Sequence, residues 1–160
     1  MSRAFIKEDA GDPDELPERH QSAAPNYVTR EGLSVLRRRV HEFRKRLVSL
    51  PQEGLEAREL RRDLRYFEGR AASAILVERQ PGPAEEARFG AIVELLREEG
   101  GAFSVAIVGQ DEAEGAQGKV AWDSALALAL MGARKGDRIE LDDYGALTVA
   151  AIRYPERPPQ

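Results

Sequence analysis

Carboxylates are the side chains of this sequence best suited to chemistry, and they occur in two short groups. Glu53 and Glu56 stand three residues apart beside a predicted turn, so a helical turn there would bring both to one face. Asp111, Glu112 and Glu114 follow a strand-like apolar run and could pair with a basic protein surface. Both groups could equally be ordinary solvated carboxylates. No nucleophile triad, phosphate-binding loop or zinc-ligand spacing accompanies them.

The composition narrows the possible classes of protein. The chain has 160 residues, enough for one ordinary domain or two small ones. It has no Cys, which excludes disulfides and Cys-ligated metals. No apolar run approaches the roughly 20 residues that span a bilayer, and the acidic N-terminus does not resemble a secretory signal. We therefore expect a cytoplasmic protein with no membrane partner and no cofactor of its own.

Charge is distributed unevenly along the chain, although the net charge is only −4. Residues 1–28 and 81–160 are acidic, whereas residues 29–80 carry 13 basic and 8 acidic side chains. Such blocks suggest separate modules. Arginines of the basic block could face acidic protein or nucleic acid, or could form a solvated helical face; they are Arg37, Arg38, Arg39, Arg61, Arg62 and Arg65.

Residues 1–28 are predicted to be an acidic extended arm. Its prolines break any helix and its apolar residues are sparse, which favours disorder until the arm is bound. Tyr27 and Val28 at its end could dock on the rest of the molecule.

Residues 29–80 are predicted to form an antiparallel helical hairpin, or coiled coil. Thr29 is a candidate N-cap, and the turn lies at residues 50–54, where Pro51 and Gly54 interrupt the pattern. Apolar residues spaced alternately by three and four form the seam of each helix: Leu33, Leu36, Val40, Phe43 and Leu47 in the first, and Leu60, Leu64, Phe67, Ala71 and Ala74 in the second. Each arm of about 20 residues is about 30 Å long.

Residues 81–84 read as a linker, and residues 85–155 as a small antiparallel sheet with one helix on a face, so the fold class is α+β. The predicted strands are Phe89–Leu95, Phe103–Val108, Lys119–Trp122, Arg138–Leu141 and Leu147–Tyr154. Ser124 is placed to cap a helix from Ala125 to Ala133, and Gly132 or Gly136 to turn the chain out of it. Residues 156–160 are expected to be a frayed tail.

A series of short motifs occurs in this half in one order and spacing: Phe89-Gly90-Ala91, Ile107-Val108-Gly109, Asp111-Glu112-Ala113, Gly118-Lys119-Val120, Ser124, Ala129-Leu130, Gly132 and Lys135-Gly136-Asp137. This series resembles the FKBP-like C-terminal domain of the GreA/GreB transcription elongation factors. The start of the first helix, residues 28–33, is similar to that of the GreB type, and Phe67-Glu68-Gly69-Arg70 is similar to the family's second helix.

The resemblance implies a role in transcription. Members of the family bind RNA polymerase at the rim of its secondary channel through the globular domain and insert the hairpin, where tip carboxylates help to hold a Mg²⁺ shared with polymerase. It implies a bacterial, cytoplasmic, monomeric accessory factor with indirect contact to the nascent RNA and the DNA of the complex. Residues expected to contact the partner are Asp111, Glu112, Ser124, Gly132, Gly136 and Asp137.

The predicted tip departs from the family's pattern. The position of the family's Asp is occupied by Leu50, while Glu53 and Glu56 occupy later acidic positions, and the hairpin is shorter. We therefore expect weak or no stimulation of transcript cleavage. Two alternatives stay open: an active cleavage factor using Glu53 and Glu56 with Mg²⁺, and a peptidyl-prolyl isomerase suggested by the FKBP-like resemblance.

Overall fold

The structure, a computed structural model, describes residues 16–78 and 84–155. The predicted tail, most of the predicted linker and the first fifteen residues of the predicted arm lie outside the described residues. The elements in chain order are β1 (Tyr27–Val28), α1 (Arg30–Ser49), α2 (Leu55–Ala72), β2 (Ile75–Leu76), β3 (Ile92–Arg97), β4 (Ala102–Val108), β5 (Lys119–Ala121), α3 (Ala125–Leu130), β6 (Arg138–Leu141) and β7 (Gly145–Arg153).

Helices α1 and α2 pack against each other as a hairpin along the apolar seams. Leu36, Val40 and Phe67 are buried in one cluster, and the rings of Phe43 and Phe67 meet edge to face with centroids 5.5 Å apart. Thr29 caps α1 as predicted, because its side-chain oxygen accepts a hydrogen bond from the Gly32 amide. Loss of such a cap typically costs about 1 kcal/mol.

The predicted seam of the second helix extends beyond the end of that helix. Ala74 was predicted to lie in α2, but the helix ends at Ala72 with Ser73 as its C-cap. The chain leaves the helix there because Ile75 and Leu76 form β2, which pairs in parallel with β1. The Ile75 amide donates to the Asn26 carbonyl at 2.8 Å, and the Val77 amide donates to the Val28 carbonyl at 3.1 Å. This short ladder ties the beginning of the hairpin to its end.

Residues 16–26 are ordered against the hairpin, so the expectation of a disordered arm is wrong for this segment. The segment runs along α2, where Glu18 pairs with Arg65 and Arg19 with Asp63. Composition favoured disorder because the segment is poor in apolar side chains. Its contacts are instead polar and come from a helix more than 40 positions later in the chain.

The C-terminal sheet has five strands in the order β5-β4-β3-β7-β6. Only β4 and β5 pair in parallel, and the other neighbours are antiparallel. The α+β fold class is therefore confirmed. Helix α3 covers one face, where Leu126, Ala127 and Leu130 are buried in one core with side chains of the central strands.

Most predicted strands shift at an end by one to three residues, and two of the shifted boundaries in this domain are explained by a glycine. Strand β3 begins at Ile92, because residues 89–90 form a turn in which Gly90 has a φ of +83°. Helix α3 ends at Leu130, three residues before the predicted end, and Gly132 then adopts a φ of +80°. Such a backbone is accessible to glycine at little cost. Among the described residues, no helix is long and apolar enough to cross a membrane.

Candidate functional site

The hairpin tip is a short loop between the last residue of α1 and the first of α2. Leu50 leaves α1 in an extended conformation, and Gly54, with a φ of +131°, opens α2. Gln52 is held by a side chain of α2: Arg61 Nη2 donates to its carbonyl oxygen at 2.7 Å and to its side-chain oxygen at 3.1 Å. A bonded loop of this kind presents its remaining side chains to the solvent.

The two tip carboxylates predicted from the sequence lie in different settings. Glu53 is exposed in the loop, whereas Glu56 lies in the first turn of α2. Glu56 accepts a hydrogen bond from Arg46 Nη2 across the hairpin at 3.0 Å, with side chains that are 65% and 59% exposed. In the described part of the chain, no group of three or more His, Cys, Asp or Glu residues could hold a metal ion. The tip could therefore supply only part of a Mg²⁺ coordination shell, since this ion prefers several oxygen ligands in octahedral geometry.

The tip also exposes apolar side chains. Val48 is 86% exposed and Leu55 is 56% exposed, one on each helix beside the loop. Leu50, at the position where the resemblance implied an acid, is half-buried. The tip therefore presents hydrocarbon beside one free and one paired carboxylate.

The base of the hairpin holds the second group of carboxylates. Asp111 accepts hydrogen bonds from the Tyr66 hydroxyl at 2.6 Å and from Arg70 Nε. The side chains of Arg70 and Asp111 are only 3% and 9% exposed. Burial raises the pKa of Tyr66, and the hydrogen bond to Asp111 raises it further. The pair joins the end of α2 to the loop after β4.

Glu112 makes a second connection, to the start of α1. Its carboxylate accepts hydrogen bonds from the Thr29 amide at 3.0 Å, from the Thr29 hydroxyl and from the Gly109 amide at 3.0 Å. A Cβ on Gly32 would lie 2.0 Å from the Glu112 carboxyl carbon. A side chain at position 32 would therefore displace this carboxylate, which also lies near the positive end of the α1 dipole.

Gln110, which the sequence analysis missed, lies at the centre of the base. Its side-chain oxygen accepts from Arg70 Nη2 at 3.2 Å. Its side-chain nitrogen donates to Ser22 Oγ at 3.1 Å and to Asp123 Oδ2 at 2.6 Å. One amide thereby connects the arm, α2 and the residue before Ser124. The available sequence signal was its position between Gly109 and Asp111, which belong to two motifs already singled out.

The other predicted partner-binding residues lie around α3. Ser124 is its N-cap, accepting from the Ala127 amide at 3.3 Å. Gly132 and Gly136 are exposed with positive φ, and Asp137 Oδ2 accepts from the Arg134 amide at 2.8 Å. These local bonds fix the backbone while leaving the surface accessible. In contrast, Asp111 and Glu112 are engaged within the chain.

A groove of about 290 Å³ separates α1 from the loop that carries these carboxylates. Its lining mixes both signs of charge with apolar side chains: Glu31, Gly32, Val35, Leu36, Arg39, Asp111, Glu112, Ala113, Glu114 and Lys119. Two of these lining residues, Asp111 and Glu112, already accept hydrogen bonds from the hairpin. The groove is therefore part of the contact between the base of the hairpin and the sheet domain.

Comparisons with known proteins agree on one family. The family described as "Transcription elongation factor, GreA/GreB, C-term" matches residues 82–154. The chain is similar to transcription elongation factor GreB of Neisseria meningitidis serogroup B, with 41% identity over 86 residues, 53% of each chain. It is 34% identical to GreB of Pseudomonas putida over 100 residues, 61% of this chain and 62% of the relative. The matched segment thus spans about half to two thirds of these relatives.

A solved structure, the prokaryotic transcription elongation factor GreA/GreB from Nitrosomonas europaea, aligns with 17% identity and a TM-score of 0.42. The alignment covers 80% of this chain and 98% of that chain.

Proposed function

We propose that this chain, which belongs to the GreA/GreB family through its C-terminal domain, binds RNA polymerase and regulates transcript elongation. The observation that carries the proposal is the family match over residues 82–154, which spans the whole five-stranded sheet and α3. In this proposal the sheet domain, of FKBP-like type, docks at the rim of the secondary channel. The hairpin, a short coiled coil, enters the channel. The protein acts in the bacterial cytoplasm as a monomeric accessory factor, not as an enzyme.

Docking is assigned to the exposed surface around α3. Local hydrogen bonds fix the chain at Ser124 and Asp137, and backbone bonds to Ala87 and Val149 hold Gly132 and Gly136. Ser124 is half-buried, and the other three residues are exposed. Asp111 and Glu112 would act indirectly, by holding the hairpin, since their oxygens already accept bonds from Tyr66, Arg70 and Thr29. This division refines the sequence-based expectation of direct contact at all six residues.

At the tip, the proposal is occlusion of the channel with weak or no stimulation of cleavage. Leu50 provides no metal ligand, Glu56 is paired with Arg46, and Val48 and Leu55 expose hydrocarbon. Holding a Mg²⁺ requires several hard oxygen ligands. Glu53 is exposed, but in the described part of the chain it belongs to no group of three or more side chains that could hold the ion.

Active cleavage through Glu53 and Glu56 is the second candidate. It is favoured by the exposure of both carboxylates, because an exposed pair such as Arg46–Glu56 is worth about 0–1 kcal/mol and is easily released. The isomerase alternative has no comparable support from the site, because it rests on a likeness of fold, and fold does not imply function.

The test is to add the protein to backtracked transcription complexes, resolve the RNA on a gel and measure polymerase binding in parallel. Binding without RNA shortening is the expected result. Shortening that requires Mg²⁺ and is lost in Glu53→Gln or Glu56→Gln would establish the second candidate. Absence of binding would refute the proposed function.

Leu50→Asp separates the two reasons for weak cleavage. A gain in RNA shortening would mean that the missing acid was limiting, whereas no gain would leave the short hairpin as the limitation. Ser49→Asp is the matched control, because it adds the same charge one residue earlier, at the last position of α1.

A further inference from the structure

We propose that residues 18–26 form a strap that fixes the direction of the hairpin relative to the C-terminal sheet. The strap runs from the middle of α2 to β1 and contacts both the helix and the loop after β4. The inference concerns the conformation of the chain itself and stands whether or not the protein binds polymerase.

The outer half of the strap lies on α2. Glu18 Oε1 accepts from Arg65 Nε at 2.8 Å, and Arg19 Nη1 is 3.7 Å from Asp63 Oδ1. The Arg19 guanidinium also lies over the Tyr66 ring, 4.0 Å from its centroid. Exposed ion pairs are individually weak, so these contacts set the path of the strap more than its strength.

The strap crosses α2 where the helix has no side chain. A Cβ on Gly69 would lie 2.8 Å from the side-chain nitrogen of Gln21. Glycine inside a helix costs up to about 1 kcal/mol relative to alanine. The close passage of the strap gives this position a structural reason.

The inner end of the strap is buried at Asn26. Asn26 is 5% exposed, and its side-chain nitrogen donates to the Arg70 carbonyl at 2.7 Å and to Ser73 Oγ at 3.1 Å. The last carbonyls of a helix have no partner within it. Asn26 therefore closes the end of α2 at the same residue whose guanidinium binds Asp111.

The strap also contacts the sheet domain. Ser22 Oγ accepts from Gln110, which itself accepts from Arg70. Just beyond Asn26, the Tyr27 ring meets Trp122 and Phe89 edge to face, at 5.0 Å and 6.2 Å. Other contacts also join the hairpin to the sheet domain, through Glu112 with Thr29, Asp111 with Tyr66 and Arg70, and the Tyr27 ring. The strap adds an attachment from a different part of the chain, through Ser22 and Gln110.

A distance measurement across the molecule tests this directly. The chain has no Cys, so Ser49→Cys at the tip and Asp142→Cys in the β6–β7 turn, both exposed, accept two spin labels. Removing residues 1–24 should widen the distribution of label distances by about twofold or more, as expected for a freed hinge. The total helical signal in circular dichroism should stay the same, because the described part of the removed segment contains no helix.

Two further variants make the result specific. Removing residues 1–15 alone keeps the strap and should leave the width unchanged. The combined variant Arg19→Ala, Ser22→Ala and Asn26→Ala keeps the chain length and should also widen the distribution. It replaces the long deletion as the test if the shortened chain unfolds. Equal widths in this variant and in the complete chain would overturn the proposal.

Discussion

The two ends of the hairpin carry the same kind of ion pair in opposite surroundings. At the tip, Arg46 and Glu56 are more than half exposed and 3.0 Å apart. At the base, Arg70 and Asp111 are almost completely buried. Water and ions screen the first pair, whereas the second pair has lost its hydration and depends on its partners. A member of the exposed pair at the tip can therefore be replaced at little cost in stability. Replacing a member of the buried pair at the base would leave a buried charge without its partner.

The largest expected effect is at the base. Arg70→Ala leaves Asp111 without its buried cation and should lower the free energy of unfolding by about 3–5 kcal/mol. Arg46→Ala is the matched control at the tip and should cost less than about 1 kcal/mol. Urea unfolding monitored by circular dichroism measures both. Similar losses at the two arginines would contradict the contrast between the ends.

The next effect comes from steric crowding at the base. Gly32→Ala places a Cβ against the Glu112 carboxylate and should cost about 1–3 kcal/mol, because Glu112 must move and release Thr29 or Gly109. Gly115→Ala, where a Cβ would meet nothing within 4 Å, should change stability by less than about 0.5 kcal/mol. Thermal unfolding of the two variants side by side makes the comparison, and a stabilised Gly32→Ala protein would argue against close packing there.

A smaller and pH-dependent effect is expected at Tyr66. Its pKa is raised by burial and by the hydrogen bond to Asp111, so folding favours the protonated phenol. The stabilisation is complete below the ordinary tyrosine pKa of about 10 and is lost as the pH rises through the higher folded value. Tyr66→Phe should cost about 1 kcal/mol at neutral pH.

The pH series supplies the control for that variant. Urea midpoints measured between about pH 8 and about pH 11 should fall less steeply for Tyr66→Phe than for the parent chain. Identical slopes would show that Tyr66 does not titrate differently in the folded state.

The smallest effect belongs to the tip. Glu56→Gln removes the ion pair with Arg46 and should lower stability by no more than about 0.5–1 kcal/mol at low salt. The difference should become smaller at about 1 M salt, where the Debye length of about 3 Å is similar to the separation of the pair. A large loss that persists in salt would mean that the tip is as constrained as the base.

The sequence predicted the parts of the fold that depend on local periodicity. The spacing of Leu36, Val40 and Phe67 identified the seam of the hairpin. The positions of Thr29 and Ser124 before apolar runs identified the N-caps of α1 and α3. These features need only neighbours within a few residues, and residue type alone records them.

The base could not be predicted in the same way. Arg70 and Asp111 are separated by 41 positions and Ser22 and Gln110 by 88, so no local pattern relates them. The two-residue strands β1 and β2 are too short to show alternation. The polar arm was expected to be disordered because composition counts apolar area and does not register hydrogen bonds to a particular surface.

Because Tyr27–Val28 pairs in parallel with Ile75–Leu76, the two ends of the segment formed by residues 29–74 lie next to each other. Adding or removing one heptad in each helix near the tip would change the reach by about 10 Å while keeping the seam in phase. None of the bonds at the base would be altered. Reach and attachment are therefore separate variables in this architecture, and a family built on it can vary one without redesigning the other.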